Sequence, residues 1–183
     1  MSWTDVVAFG QHNGLPTRFL DWSEGSSLAL FFAVRRPRDF VGKDAVVWML
    51  SPEGLNLCAG IGRAVFFQDP DQISKFREAY ENPLARSLPV GRDAPVAFVP
   101  NSVHPRIVSQ RGAFTIAGDD PLWLETQGAE RHNTPEEFLH AFVIPAGDVA
   151  RVAEELDVAG VNASTVYPDI GGLAAEIAYR HLR

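Results

Sequence analysis

A polar segment that runs directly into an apolar helix constrains the fold of this chain more than any other feature. Residues 11–23 read QHNGLPTRFLDWS, and the apolar run Leu28–Val34 follows closely. A helix over that run is apolar on nearly all sides, so we expect it to be buried rather than amphipathic. Arg35 and Arg36 suit its last turn, where cations interact favourably with the helix dipole, and Pro37 ends it. The polar segment therefore lies at the N-terminal end of a buried helix.

The start of that helix has a recognisable signal of its own. Residues 19–22 are short and extended in pattern. Asp21 and Glu24 are three residues apart, which is the spacing of a capping box with aspartate as the cap. The sequence thus predicts a strand, a cap and then the buried helix.

The remaining pattern predicts an α+β fold. Apolar runs rich in β-forming residues indicate strands, and apolar residues at helical spacing indicate helices. We predict strands at Ala45–Leu50, Val96–Val99, Ala113–Ile116 and Leu139–Ile144, and helices at Asp71–Tyr80, from Val149 and from Ile170. Residues 117–135 are predicted as a loop with at most one helical turn.

Strands and helices do not alternate strictly along the chain, and no linker-like segment interrupts it. This favours one α+β domain over residues 1–183, with a mixed central sheet of about four to six strands flanked by helices. A chain of 183 residues is long enough for one domain with a sizeable core.

Charge and composition exclude several functional classes. The net charge is −7 and the isoelectric point is near 5.2, which argues against bulk nucleic-acid binding. Cys58 is the single cysteine, so neither a disulfide framework nor a cysteine-based zinc site is expected. No apolar run approaches the roughly 18 residues of a membrane span, and the first residues lack the basic and apolar regions of a signal peptide. These features predict a cytoplasmic protein.

The polar segment concentrates side chains that can bind a ligand. Arg18 offers a planar fork of donors for phosphate or carboxylate, and Trp22 could stack on a base or ring. A helix N-terminus adds free backbone N–H groups that favour anions. These features indicate a pocket for a phosphate-bearing ligand such as a nucleotide, formed by Gln11, His12, Thr17, Arg18, Asp21, Trp22 and Ser23.

The same residues also allow a purely structural interpretation. Arg18 and Asp21 could pair with each other and brace the turn, and His12 could be a half-buried histidine with its hydrogen bonds satisfied. Gly14 and Pro16 could serve the backbone alone, because polar turns before helices are common. The residue types by themselves leave both interpretations open.

Two later segments contain further candidates. If the stretch around HPRIVSQRG is extended, Arg106 and Gln110 share one face, where they could line a ligand cleft or hold the sheet to a loop. Asp169 is the natural N-cap of the last helix, and it could instead pair with Arg18 or Arg106.

Several well-known motifs are missing from the sequence. It contains neither of the glycine-rich phosphate loops GxGxxG and GxxxxGK[ST], and it lacks GxSxG and HExxH. The five histidines are scattered, without a pair four residues apart. We therefore predict no metal site.

Three stretches together resemble the FRG domain family. They are QHNGLPTRFLDWS with the following ALFFA, then PRIVSQRGAFTI, then YPDIGGLA, and their order and spacing fit that family. Members occur in bacteria and phages. The family is named for a Phe/Tyr-Arg-Gly motif expected before the Gln-His motif, and none precedes Gln11. We therefore expect that the chain lacks the family's N-terminal segment, or that a partner chain supplies the missing arginine.

The layout of the family is similar to that of ADP-ribosyltransferases, which bind NAD. The similarity implies a nucleotide-dependent toxin or defence effector, although Gly112 stands where such an enzyme would have a glutamate. The alternative is a non-catalytic module that binds a small ligand or a protein. The similarity assigns catalysis to Gln11, His12 and Gln110, and ligand binding to Thr17, Arg18, Asp21, Trp22, Arg106 and Asp169.

Overall fold

The computed structural model describes residues 7, 9–11, 14–35, 41–60, 62, 93–99, 105–120 and 122–181, with the backbone alone for residues 105 and 106. Three predictions therefore lie outside the described residues, namely the helix Asp71–Tyr80, the position of His12 and the roles of Arg36 and Pro37 at the end of the apolar helix. The side chain of Arg106 lies outside them as well.

Within these residues the chain forms five strands and seven helices, which confirms the α+β class. All four predicted strands and the predicted helices around Leu28–Val34, Val149 and Ile170 are present. In chain order the elements are β1 (Phe19–Ser23), α1 (Ser26–Val34), β2 (Ala45–Leu50), α2 (Pro52–Cys58), β3 (Val96–Phe98), α3 (Pro105–Ser109), β4 (Gly112–Ile116), α4 (Trp123–Glu130), β5 (Leu139–Ile144), α5 (Val149–Val158), α6 (Ala163–Val166) and α7 (Ile170–His181).

The described strands form two small sheets instead of one central sheet. One sheet has three strands in the order β1-β4-β3, and the other pairs β2 with β5. β3 runs antiparallel to β4, with Val96 opposite Ile116 and Phe98 opposite Phe114. Even the larger sheet has fewer strands than the four to six predicted. A run of β-forming residues identifies a strand but not the strand with which it pairs.

The chain divides into two compact units, each assembled from separate stretches. Unit 1 comprises Met1–Trp22, Met49–Val103 and Ala113–His140. Unit 2 comprises Ser23–Trp48, His104–Gly112 and Ala141–Arg183. Each unit has a core cluster of its own.

Aromatic side chains dominate the packing of unit 1. Phe19 of β1 lies 5.2 Å from Phe98 and 5.5 Å from Phe114, measured between ring centroids. Trp123 stacks on the fully buried Phe138 at 5.8 Å. Each such ring pair contributes about 1 kcal/mol beyond the burial of its apolar area. The contacts of Phe19 fix β1, which forms the last part of the polar segment.

One buried polar side chain joins α2 to β3 in unit 1. Asn56 is fully buried, and its amide nitrogen donates to the carbonyl oxygen of Ala97 at 2.9 Å. Its amide oxygen accepts from the backbone N–H of Ala97 at 2.8 Å. The side chain therefore satisfies both backbone groups of one residue, as a neighbouring strand would.

Unit 2 is built around the apolar helix α1. Phe31 and Val34 are buried in it, and the other residues from 28 to 33 are half-buried, which confirms the prediction of a buried helix. Its core cluster also contains Val149 and Leu156 of α5. Burial of each such side chain stabilises the unit by about 2 kcal/mol relative to an exposed position.

α6 and α7 meet through a glycine. A Cβ atom at Gly172 would lie 2.2 Å from the carbonyl oxygen of Tyr167 and 2.8 Å from that of Ala163. Those distances leave no room for any side chain. The second glycine of the YPDIGG motif therefore has a packing role.

Two local predictions were wrong. α1 begins at Ser26 with Gly25 as its N-cap and no side-chain cap, so Asp21 and Glu24 do not form the predicted capping box. The segment predicted as a loop contains the eight-residue helix Trp123–Glu130. That helix carries weak apolar periodicity and buries Gly128 against Leu139, which is a tertiary contact that local pattern does not indicate.

Candidate functional site

Four of the predicted binding residues of unit 1 are called the N-terminal polar cluster, namely Gln11, Thr17, Arg18 and Asp21, and hydrogen bonds join Gln11 to both Thr17 and Asp21. Gln11 Nε2 donates to Asp21 Oδ1 at 2.9 Å. The hydroxyl of Thr17 donates to Gln11 Oε1 and also accepts from the backbone N–H of Phe19 at 3.1 Å. The amide of Gln11 is therefore held at both ends, while Asp21 remains exposed.

Trp22 attaches this cluster to β4, and Arg18 attaches it to Ala117, the residue after β4. The guanidinium of Arg18 donates through Nη2 to the carbonyl oxygen of Ala117. The backbone N–H of Ala117 in turn donates to the carbonyl oxygen of Arg18 at 2.9 Å. Trp22 Nε1 donates to the hydroxyl of Thr115 at 3.1 Å, and its half-buried ring packs against the core of unit 1. Both side chains thus position β1, and their assigned roles in ligand binding stay predictions.

Gln110 lies in unit 2, at the turn between α3 and β4. Its amide nitrogen is 3.5 Å from the carbonyl oxygen of Val166, to which the hydroxyl of Ser109 donates at 3.2 Å. Residues 105–109 are helical, so the extended stretch assumed for Arg106 and Gln110 is wrong. Proline is favoured in the first turn of a helix, and Pro105 lies in that position here. The apolar residues beside it suit a strand equally well, so they do not decide between the two.

Sequence reasoning missed an acidic residue at this turn. The backbone N–H of Glu24 donates to the carbonyl oxygen of Arg111 at 3.0 Å, and Glu24 Oε2 lies 3.8 Å from Arg111 Nη2. Arg111 has a φ of 47°, a left-handed conformation that is uncommon for a residue with a side chain. The turn thus has a carboxylate beside it, supplied by a residue distant in sequence.

Asp169 is placed as the N-cap of α7. Its Oδ1 accepts from the backbone N–H of Gly172 at 3.0 Å, and its carbonyl oxygen accepts from Leu173 at 3.2 Å. These bonds agree with the capping interpretation. A role of Asp169 in ligand binding stays a prediction.

Unit 1 also contains a carboxylate between two histidines. Glu137 Oε1 lies 2.7 Å from His132 Nδ1 and 3.2 Å from His140 Nδ1, and its Oε2 accepts from the N–H of Asn133 at 3.1 Å. The bond to His132 is the largest cause of a pKa of Glu137 below its ordinary value. The carboxylate is therefore held in its charged form.

This arrangement predicts how stability depends on pH. A carboxylate whose pKa is lowered by folding stabilises the protein above its unfolded pKa, near 4.5, and loses that contribution as the pH falls through the folded value. We expect the Glu137→Gln variant to melt below the wild type at neutral pH, with the difference shrinking below about pH 4.5. Melting followed by circular dichroism from pH 3 to 7 measures this, and Glu136→Gln controls for the loss of one exposed charge. A pH-independent difference would contradict the prediction.

Comparison with known proteins gives a match in the N-terminal part of the chain. Residues 1–41 match the family model of the FRG domain, which confirms the resemblance to that family. The matched stretch contains the N-terminal polar cluster and α1. No curated protein and no solved structure matches the chain. Among the described helices, none has the length and apolar character needed to cross a membrane.

Proposed function

We propose that this chain is an FRG-type binding module that recognises a small ligand of the nucleotide class through the N-terminal polar cluster. The main support is the amide of Gln11, held between the hydroxyl of Thr17 and the carboxylate of Asp21. The cluster lies inside the stretch that matches the FRG family model.

The geometry suits recognition because the groups are oriented before any ligand arrives. Side chains that are already fixed lose less conformational entropy on binding. Asp21 is exposed, and a carboxylate has about four acceptor positions, of which Gln11 occupies one. Carboxylates in nucleotide-binding proteins commonly accept hydrogen bonds from ribose hydroxyls. Asp21 is thus suited to a ribose, with Gln11 beside it.

The same bonds favour binding over catalysis by this cluster. A nucleophilic hydroxyl needs a neighbouring base to take its proton. Thr17 donates its proton to the amide oxygen of Gln11, which is not a base. The described contacts orient the cluster without activating a reacting group.

A second candidate is an ADP-ribosyltransferase-like transferase that acts on NAD as a toxin or defence effector. One observation favours it, namely that Glu24 places a carboxylate next to Arg111 in the turn Gln110–Gly112. A carboxylate there would stabilise the positive charge that develops on ribose as the glycosidic bond breaks. It would replace the glutamate missing at Gly112.

One experiment tests the proposal and separates the two candidates. We expect ADP-ribose and NAD at millimolar concentration to raise the Tm of the full chain, because a ligand that binds the folded state stabilises it. We expect Gln11→Ala to weaken binding about tenfold through the loss of its hydrogen bonds, measured by isothermal titration calorimetry. Release of nicotinamide from NAD by the wild type would identify the transferase.

The matched control is Gln127→Ala, which removes a glutamine of α4 that bonds to Glu130 and Arg131. It should leave nucleotide affinity unchanged. The absence of a Tm shift with every nucleotide tested would refute nucleotide recognition. Equal losses in both variants would show that the effect of Gln11 is not specific.

A further inference from the structure

Unit 2 contains a cavity of ≈ 200 Å³ between its helices. The walls come from α1, α5, α6 and α7 and from the segment between α5 and α6. Its apolar lining includes Phe31 and Val34 of α1, Leu156 of α5, and Val161. The N-terminal polar cluster belongs to unit 1, so this cavity is a second candidate site.

One wall of this cavity carries a positively charged side chain. Arg35, the C-cap of α1, lines it, and its Nη1 donates to the hydroxyl of Tyr167, another lining residue. The guanidinium carbon of Arg35 lies 5.7 Å from the ring centroid of Phe32. Both of these partners are uncharged. Within the described residues, Arg35 makes no contact with a carboxylate.

Unlike Arg35, the two acidic residues of the cavity lining contact an oppositely charged side chain. Asp157 Oδ1 accepts from Arg180 Nη2 at 3.2 Å and from Asn162 Nδ2 at 3.3 Å. Glu176 is buried, and it accepts from Arg180 Nε at 2.5 Å and from the backbone N–H of Ala163 at 3.2 Å. Both acidic groups of the lining thus contact Arg180, while Arg35 contacts no carboxylate among the described residues.

Size and charge together define a ligand class. A dry cavity of about 150 Å³ lined by leucine, isoleucine and phenylalanine is large enough for a benzene ring. The planar guanidinium matches a carboxylate in a bidentate pair, and one arginine balances one negative charge. We propose that the cavity binds a small monocarboxylic acid with an aromatic or branched aliphatic body, with the apolar part among Phe31, Val34 and Leu156 and the carboxylate on Arg35.

Phenylacetate and its uncharged isostere phenylacetamide test this proposal on the full chain. We expect phenylacetate to bind at least about tenfold more tightly, because only the carboxylate forms a charge-assisted pair with Arg35. Arg35→Gln should lower phenylacetate affinity to the level of the amide. Arg151→Gln is the matched control, since Arg151 is an exposed arginine of unit 2 that pairs with Asp148 and Glu155 outside the cavity lining. Isothermal titration calorimetry measures the affinities of both ligands for the wild type and of phenylacetate for the two variants.

A second pair of variants tests the location. Ala175 lines the cavity from an exposed position of α7, so Ala175→Leu should fill part of it and weaken both ligands about tenfold. Ala178→Leu makes the same change at an exposed position of α7 outside the lining and should have no effect. Equal binding of acid and amide, unchanged affinity in Arg35→Gln, unchanged affinity in Ala175→Leu, or no binding at millimolar concentration would each overturn the proposal.

Discussion

The Gly172→Ala variant is expected to melt about 10 °C below the wild type, a loss of about 3 kcal/mol in the free energy of unfolding. A Cβ at this position would overlap the carbonyl oxygens of Tyr167 and Ala163, at 2.2 Å and 2.8 Å. Backbone atoms cannot rotate away as the end of a side chain can. α7 must therefore move away from α6, and contacts along both helices are lost.

The adjacent glycine provides the control. At Gly171 a Cβ would meet the side-chain oxygen of Asp169 at 3.0 Å, and the position is exposed. Gly171→Ala should stay within about 1 kcal/mol of the wild type, because alanine favours a helix over glycine by a similar amount. Thermal melting followed by circular dichroism compares the two variants. Equal melting temperatures would show that α6 and α7 do not meet at Gly172 as described.

The Asn56→Ala variant is expected to lose about 3 kcal/mol of stability. Asn56 is fully buried and satisfies both the N–H and the carbonyl oxygen of Ala97. Alanine would leave those two backbone groups buried without the partners that Asn56 provides, and each unsatisfied group costs about 1–3 kcal/mol. Chemical denaturation with urea measures the difference.

Leu57→Ala is the control for this second prediction. Leu57 is the next residue of α2 and is 46% exposed, so its truncation removes little buried area. We expect a change of less than about 1 kcal/mol. If the two variants lost similar stability, the effect of Asn56→Ala would reflect disturbance of α2 in general and not the two bonds to Ala97.

The helices and strands were predictable where local chemistry determines them. Leu28–Val34 is apolar on nearly all sides and forms the buried helix α1, and Asp169 begins α7 as expected of an N-cap. The capping box failed because Asp21 belongs to β1, whose pairing with β4 is a long-range interaction. The spacing of Asp21 and Glu24 does not show that strand pairing competes with the cap.

The candidate sites were predictable to a smaller extent. The sequence grouped Gln11, Thr17 and Asp21, and the structure joins them by hydrogen bonds. The sequence does not indicate that Glu24 lies beside Arg111, since this contact depends on how distant segments pack. Arg35 was interpreted as a helix end, which is correct, but the cavity beside it is lined by helices from the other end of the chain. A site made by tertiary packing has no local sequence signal.

The division of each unit into separate stretches bears on how the protein is made. The core of unit 2 combines Phe31 and Val34 with Val166, so synthesis must pass Val166 before that core can close. Contacts between residues so far apart in sequence form slowly, and the apolar helix α1 is exposed during that interval. No single cut in the gene would separate one unit from the other.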